Sequence, residues 1–233
     1  MQRRLAEVQE NTKIRPRTKG CELPLSFAQE RIWLHQQLVP ESIVYNRPTN
    51  IALHGPLRVE VLKRALNDIV ARQEALRTTA VLSQTGTARL LVHPETTVEI
   101  PLVDLSAEAD PNARAKELAK LEASHPFCLQ KGPMLRAQLL RLGPEDHLLL
   151  LTFHHFCFDA WSQTVLLREL SSRYQAYVSG ESSSGQLPAI QSADMATWDR
   201  SESRVQALEK GRSYWREKLA APPSLQLLSL IHI

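Results

Sequence analysis

The sequence predicts an α/β domain of the sandwich type, with helices packed on sheet, and three observations predict it. The segment 59–78 keeps Val59, Leu62, Leu66, Ile69, Val70 and Leu76 at helical spacing. The segments 135–142 and 147–156 read as two strands joined at Gly143-Pro144-Glu145-Asp146, a hairpin signal. Helices and strands mix irregularly and without internal repeats, which argues against a regular βαβ array. A chain of 233 residues has ample length for a core.

Taken in order, residues 1–22 read as a polar linker or N-terminal arm, with Lys13, Arg15, Arg17 and Lys19 around Pro16. Order is expected from Leu23-Pro24-Leu25. Ser26 and Gln29 have capping-box spacing, so a helix should run from there to about Leu38. Its apolar side would carry Phe27, Ile32, Trp33 and Leu34, and Pro40 ends it. A strand over 49–54 is closed by Gly55-Pro56. The long helix 59–78 follows, then strands at 88–93 and 98–103. Pro111 opens a helix to about Ser124 with Leu118 and Leu121 inward. The strand 135–142 alternates apolar and polar residues. The strand 147–156 is apolar throughout, as expected where both faces are covered. Leu166, Leu170 and Tyr174 mark a helix over 162–178. Residues 179–185 read as a flexible loop, and a last helix covers roughly 203–219.

Composition excludes several classes. Hydrophobic residues make up 43% and charged residues 23%, ordinary for a globular protein. The net charge of +3 falls short of the clustered positive face of a nucleic-acid binder. Cys21, Cys128 and Cys157 are an odd number without a Cys-x-x-Cys pair, which argues against a disulfide framework and suits a reducing compartment. The N-terminus lacks an apolar signal core, and no apolar run approaches the roughly 20 residues of a membrane span. These observations predict a cytoplasmic protein with neither nucleic acid nor membrane as partner.

The stretch His154-His155-Phe156-Cys157-Phe158-Asp159-Ala160 holds the densest chemistry. Side chains alternate along a strand, so the two histidines should face opposite sides. Asp159 lies in the turn before the next helix, where free backbone N–H groups favour a carboxylate. Three readings stand open on these residues alone. One histidine is a general base, with Asp159 fixing the loop. Alternatively, His155 and Asp159 join another ligand around a metal, although no such ligand stands at helical spacing. In the third, both histidines satisfy local hydrogen bonds.

Several segments then line up. The stretch resembles the His-His-x-x-x-Asp-Gly signature of condensation domains from nonribosomal peptide synthetases, and more widely of the chloramphenicol-acetyltransferase-like acyltransferases. LPLSFAQERIWL (23–34) resembles Ser-x-Ala-Gln-x-Arg-hydrophobic-Trp. ARQEALRTTA (71–80) resembles Arg-His-Glu-x-Leu-Arg-Thr, with Gln73 in place of the histidine. PFCLQKGPMLRAQLLRL (126–142) is similar to Pro-Phe-Asp-Leu…Gly-Pro-Leu-Leu-Arg, with Cys128 for the aspartate. SADMATW (192–198) resembles Tyr-x-Asp-Tyr-Ala-x-Trp, and YWREKL (214–219) also fits. The resemblance covers about 23–227.

The resemblance implies a chloramphenicol-acetyltransferase-like two-layer sandwich, this chain being one subdomain of a two-subdomain condensation fold. It implies amide-bond formation between a donor acyl or peptidyl thioester and an acceptor aminoacyl group. Both would ride on phosphopantetheine arms of donor and acceptor carrier domains, beside an adenylation domain. It implies no directly bound cofactor and no metal. His155 would be catalytic, either as base or as an orienting and intermediate-stabilising group. His154 would support it. Asp159 would be a buried structural carboxylate paired with Arg77 or, second, Arg72; breaking such a pair costs roughly 3–5 kcal/mol. Ala160 stands where the family has glycine, which matters if that position needs φ > 0 or a close approach. Trp161 and Trp198 are expected in the core, Trp33 and Arg31 as braces of the first helix, Cys157 as an inert buried thiol and Gln73 as exposed. Alternatives are an epimerisation domain, a free acyl-CoA-dependent acyltransferase, or a carrier-docking remnant without catalysis. The intact histidine pair disfavours a cyclisation domain.

The chain ends about half-way through the expected domain, so the C-terminal subdomain would be an additional partner and the chain alone is expected to be inactive. Residues 228–233 are the direct translation of CTG TCT CTT ATA CAC ATC, a transposon-adapter sequence used in library preparation. That tail is therefore expected to be non-native.

Overall fold

A computed structural model describes residues 13–18, 20–181 and 187–221, the Lys210 side chain apart. The tail 228–233, most of the loop 179–185 and much of the arm 1–22 lie outside the described residues. The elements are β1 (Leu23–Pro24), α1 (Phe27–Leu38), β2 (Asn46–His54), α2 (Val59–Arg72), a 3-10 turn (Glu74–Arg77), β3 (Thr78–Leu82), β4 (Ala88–Val92), β5 (Leu102–Asp104), α3 (Pro111–Ser124), β6 (Leu135–Arg141), β7 (Asp146–His154), α4 (Ala160–Val178), α5 (Ser192–Asp199) and α6 (Glu202–Lys218).

The main sheet has the order β2-β7-β6-β5, antiparallel except for the parallel β5–β6 pair. The hairpin forms where the turn signal places it, with Leu142 N–H on Asp146 O at 2.8 Å. Strand alternation then divides the apolar residues of β7 between two cores. Leu149, Leu151 and Phe153 meet Leu62, Leu66, Ile69, Leu166 and Leu170 of α2 and α4. Leu148 and Leu150 meet Ala115 and Leu118 of α3 on the other face. A second sheet, β1-β4-β3, packs with α1 and α5 around Ile32, Ala80, Leu90, Met134, Phe156 and Ala196. The site lies where this cluster meets the α2–α4 core, and Cys157 packs against both.

The capping box at the start of α1 is present. Gln29 N–H reaches Ser26 Oγ at 3.2 Å, and Ser26 N–H reaches Gln29 Oε1 at 3.0 Å. Asp110 caps α3 ahead of Pro111.

Several expectations are corrected. The long helix stops at Arg72 rather than running to Thr78, because Thr78–Leu82 pairs with β4 and its β-branched residues suit that ladder. Of the strand expected at 98–103, only Leu102–Asp104 pairs. Asn67 meets the Val98 backbone instead, accepting from its N–H at 2.7 Å and donating to its C=O at 3.1 Å. The helix α5 is additional. Trp161 is 76% exposed, not core, and Leu121 is also exposed. Phe27 and Leu34 sit at the outer edge of α1, which buries Gln29, Ile32 and Gln36 instead. The burial of Gln36 is explained by its amide, which donates to Phe127 O and accepts from Leu129 N–H like a strand partner. Within the arm, Arg17 is not a loose linker residue: it binds Glu74 and Asp194.

Candidate functional site

His154 is the last residue of β7 and is buried at 1% exposure; His155 follows it in the turn and is half-buried. The strand ends at His154, so the alternation expected to oppose the two rings does not extend to His155, and both rings lie beside Tyr45, with centroids 6.1 and 6.2 Å away. His154 lies among aromatic rings, 5.5 Å from Phe127 and 6.1 Å from Tyr45 between centroids. Its Nδ1 accepts from Phe156 N–H at 3.1 Å, which places the ring proton of the neutral form on Nε2. Burial first, then the neighbouring His155 and Arg136 charges, push its pKa down to about 4.

His155 is held at both ends. Its backbone N–H donates to Tyr45 O at 2.8 Å, and its Nδ1 lies 2.7 Å from Phe158 O. A carbonyl only accepts, so Nδ1 carries a proton, and in the neutral ring the lone pair is on Nε2. Phe158 is fixed in turn by stacking on Phe153, with centroids 3.7 Å apart and planes within 6°. Thus the core packing of β7 sets the tautomer of the neighbouring histidine. Nothing in the local residue pattern announces this carbonyl.

Asp159 is exposed and serves as the N-cap of α4. It accepts from Ser162 N–H and from Ser162 Oγ, each at 2.7 Å, while its own N–H donates to Ser162 Oγ at 3.2 Å. The Ser162 hydroxyl, then its backbone N–H, hold the carboxyl below its ordinary range, with His155 adding a smaller charge effect. The expected arginine partner is a correction. Among the described residues no ion pair joins Asp159 to Arg77 or Arg72. Arg77 donates to Ala71 O and His93 O, and Arg72 faces Glu169 at 3.9 Å. An exposed carboxylate at a helix start already has donors and needs no buried cation. Replacing Asp159 with alanine should therefore cost about 1 kcal/mol, the value of a cap, rather than the larger cost of a broken buried pair. Urea unfolding measures it, and a loss above about 3 kcal/mol would restore the ion-pair reading.

Ala160 begins α4, and among the described residues every positive φ belongs to glycine. Alanine is therefore unstrained here. Ala160→Gly should bring no gain in product formation and should lower stability by up to about 1 kcal/mol, as glycine does in a helix.

A cavity of about 430 Å³ opens beside these groups, lined by His155, Phe158, Trp161, Gln29, Gln73 and Met195 among others. α1, the turn after α2, the His155–Asp159 loop, α4 and α5 all contribute to its wall. Gln73, expected to be exposed, is half-buried in this wall and donates to Glu169 Oε1 at 3.1 Å. Cys157 Sγ donates to His154 O at 3.3 Å, and burial pushes its thiol up to about 12, far from a nucleophile's range. Among the described residues no group of three His, Cys, Asp or Glu side chains is arranged to hold a metal, and no helix is long and apolar enough to cross a membrane.

The chain has recognisable relatives. A family profile described as Condensation domain matches residues 20–231. A linear gramicidin synthase polypeptide of Brevibacillus parabrevis is 40% identical over 221 residues, which is 93% of this chain and 3% of that protein. Chondramide synthase cmdD of Chondromyces crocatus is 39% identical over 216 residues, 91% of this chain and 6% of that one. Among solved structures, the starter condensation domain of rhizomide synthetase RzmA superposes with a TM-score of 0.77 at 25% identity, over 85% of this chain and 48% of that chain. The first condensation domain of the CDA synthetase gives 0.76 at 25% identity, over 91% and 53%. The chain thus spans about half the length of these solved chains, and it shares their mixed α/β fold.

Proposed function

The chain belongs to the condensation-domain family of nonribosomal peptide synthetases, and on that premise we propose that it supplies the histidine face of an amide-forming site. The donor is an acyl or peptidyl thioester and the acceptor an aminoacyl group, each delivered on the phosphopantetheine arm of a carrier domain. An adenylation domain next to it would load the acceptor carrier. The amine nitrogen attacks the thioester carbonyl, the C–N bond forms, and the donor thiolate leaves with the proton that the amine gives up.

One observation carries the reading: His155 borders the cavity with Nδ1–H committed to Phe158 O. In the neutral ring this leaves Nε2 only an acceptor, the polarity needed to hold or remove a proton of the attacking amine. A role in donating to the oxyanion would need the opposite polarity at Nε2. Asp159 supports the reading from the backbone, by capping α4 and closing the loop that contains Phe158. His154 supports it from beneath, holding Phe156 N–H as a neutral ring.

The test completes the domain to the length of its solved relatives and supplies donor and acceptor carriers loaded with defined thioesters. Mass spectrometry of the acceptor arm should find the extended product. Loaded carriers that stay unchanged with a folded, completed domain would reject the reading.

A further inference from the structure

The wall of the cavity formed by α5 is clasped at its two ends. At the C-terminal end, Asp199 accepts from Phe27 N–H at 3.0 Å, and Arg200 donates to Leu25 O at 2.8 Å and to Glu30 at 2.6 Å. These contacts tie α5 to the start of α1. The N-terminal end depends on a residue from the segment ahead of β1. Arg17 Nη1 reaches Asp194 Oδ1 at 2.9 Å and Nη2 reaches Glu74 Oε2 at 2.8 Å. Its backbone N–H also donates to Asp194 Oδ1, at 3.0 Å. Gln191 adds neutral bonds across the same gap, accepting from Glu74 N–H at 3.2 Å and donating to Arg72 O at 3.0 Å.

The two carboxylates sit on opposite sides of the gap. Asp194 belongs to α5, whose Ser192, Met195 and Ala196 line the cavity; Glu74 lies between Gln73 and Ala75, which line it from the end of α2. The Asp194 side chain is 4% exposed and Glu74 17%, so water screens their charges poorly. Arg77 also meets Glu74, but at 4.0 Å and from the turn's own side. Without Arg17 between them the two carboxylates repel, and repulsion across this gap moves α5 away from the turn. Arginine's planar fork gives each carboxylate its own nitrogen in a fixed direction, Nη1 for Asp194 and Nη2 for Glu74, whereas a lysine would have to reach both from one ammonium.

We infer that Arg17 is a positioning residue that holds the α5 wall of the cavity against the end of α2, and so sets the width of the space beside His155. Its importance for catalysis rests on the function proposed above; the clasp itself does not. The chain carries its own reporter in Cys157, which lines the cavity and packs against the cluster containing Ala193 and Ala196 of α5. With the exposed Cys21 and Cys128 changed to serine, Cys157 is the one remaining thiol.

The experiment measures alkylation of Cys157 by iodoacetamide together with amide hydrogen exchange in the full chain. Arg17→Ala should speed both the alkylation and the exchange of α5 about tenfold, a typical size for a local opening equilibrium shifted by a lost charge contact. Exchange in β7 should stay unchanged. Glu74→Gln added to Arg17→Ala should recover most of the protection by removing the repulsion, a rescue that lost packing would not give. Arg17→Lys should fall between, and it carries the comparison if the alanine variant does not fold. Wild-type rates at α5 and Cys157 in Arg17→Ala overturn the inference. So does equal acceleration of α5 and β7, or failure of Glu74→Gln to rescue. None of these readouts requires acyl transfer, so failure of the clasp and failure of the proposed activity are seen separately.

Discussion

Replacing His155 with alanine, in a domain completed to the length of its solved relatives, should cut amide formation by about 10²–10⁴-fold while loaded carriers still bind. That range is what a positioned proton acceptor contributes, and among the described residues the other acid–base groups near His155 are engaged: Asp159 with Ser162, Glu169 with Gln73 and Arg72, and the buried His154 with a backbone N–H. Binding should survive because the substitution leaves the apolar wall of the cavity untouched. Fold should survive as well. The His155 contacts that organise the turn include its backbone N–H on Tyr45 O, which alanine keeps, and the Nδ1 bond to Phe158 O, which it loses at about 1 kcal/mol. Quenched-flow measurement of acceptor-arm product, paired with carrier binding by calorimetry, makes the comparison. A rate within tenfold of wild type removes His155 from the chemistry. Glutamine at the same position separates the two remaining roles, since it accepts a hydrogen bond but holds no basic nitrogen. Near-wild-type turnover assigns orientation, and a loss as deep as alanine's assigns proton removal.

How far the site is legible in the sequence follows from the kind of contact involved. Contacts between near neighbours are written in local pattern. The Ser26–Gln29 box and the hairpin at Gly143–Asp146 both come from residues within a few positions of each other. The long-range contacts are not so written. Leu76 continues the helical apolar period of α2 yet lies in a 3-10 turn, because the strand that follows, Thr78–Leu82, is set by its ladder with Ala88–Val92 rather than by local spacing. Val98 loses its expected strand partner to an asparagine 31 positions away. For Asp159, the family resemblance implies burial and an arginine partner, while its place in the turn before a helix favours backbone N–H donors. It is instead exposed at a helix start, where three local donor–acceptor contacts with Ser162 suffice. The Asp-x-x-Ser spacing of that cap is present in the sequence and is the signal to use. Arg17 has none: its two carboxylates lie 57 and 177 positions away.

Acid should weaken the fold through His154 before the carboxylates titrate. Its pKa falls from 6.5 to about 4 on folding, chiefly because burial penalises the charged ring. The folded value lies below the unfolded one, so as pH drops the unfolded chain takes the proton first. Stability from this residue is complete above about pH 6.5, is lost progressively between 6.5 and 4, and changes no further once both states are protonated. A difference of this size corresponds to about 3 kcal/mol, a large part of the 5–15 kcal/mol that typically holds a domain together. Other groups titrate too, which makes a paired comparison necessary. His154→Asn keeps an acceptor for Phe156 N–H but cannot titrate, at the cost of ring contacts with Phe127 and Tyr45. The variant should be less stable than wild type at pH 7.5, and the gap should narrow by about 3 kcal/mol by pH 4 in urea unfolding. Curves that run parallel across that window would mean that the folded ring takes up its proton as readily as the unfolded one and is charged in the lower part of the window. A charged His154 could not accept from Phe156 N–H at Nδ1, and the turn that presents His155 would need a different anchor.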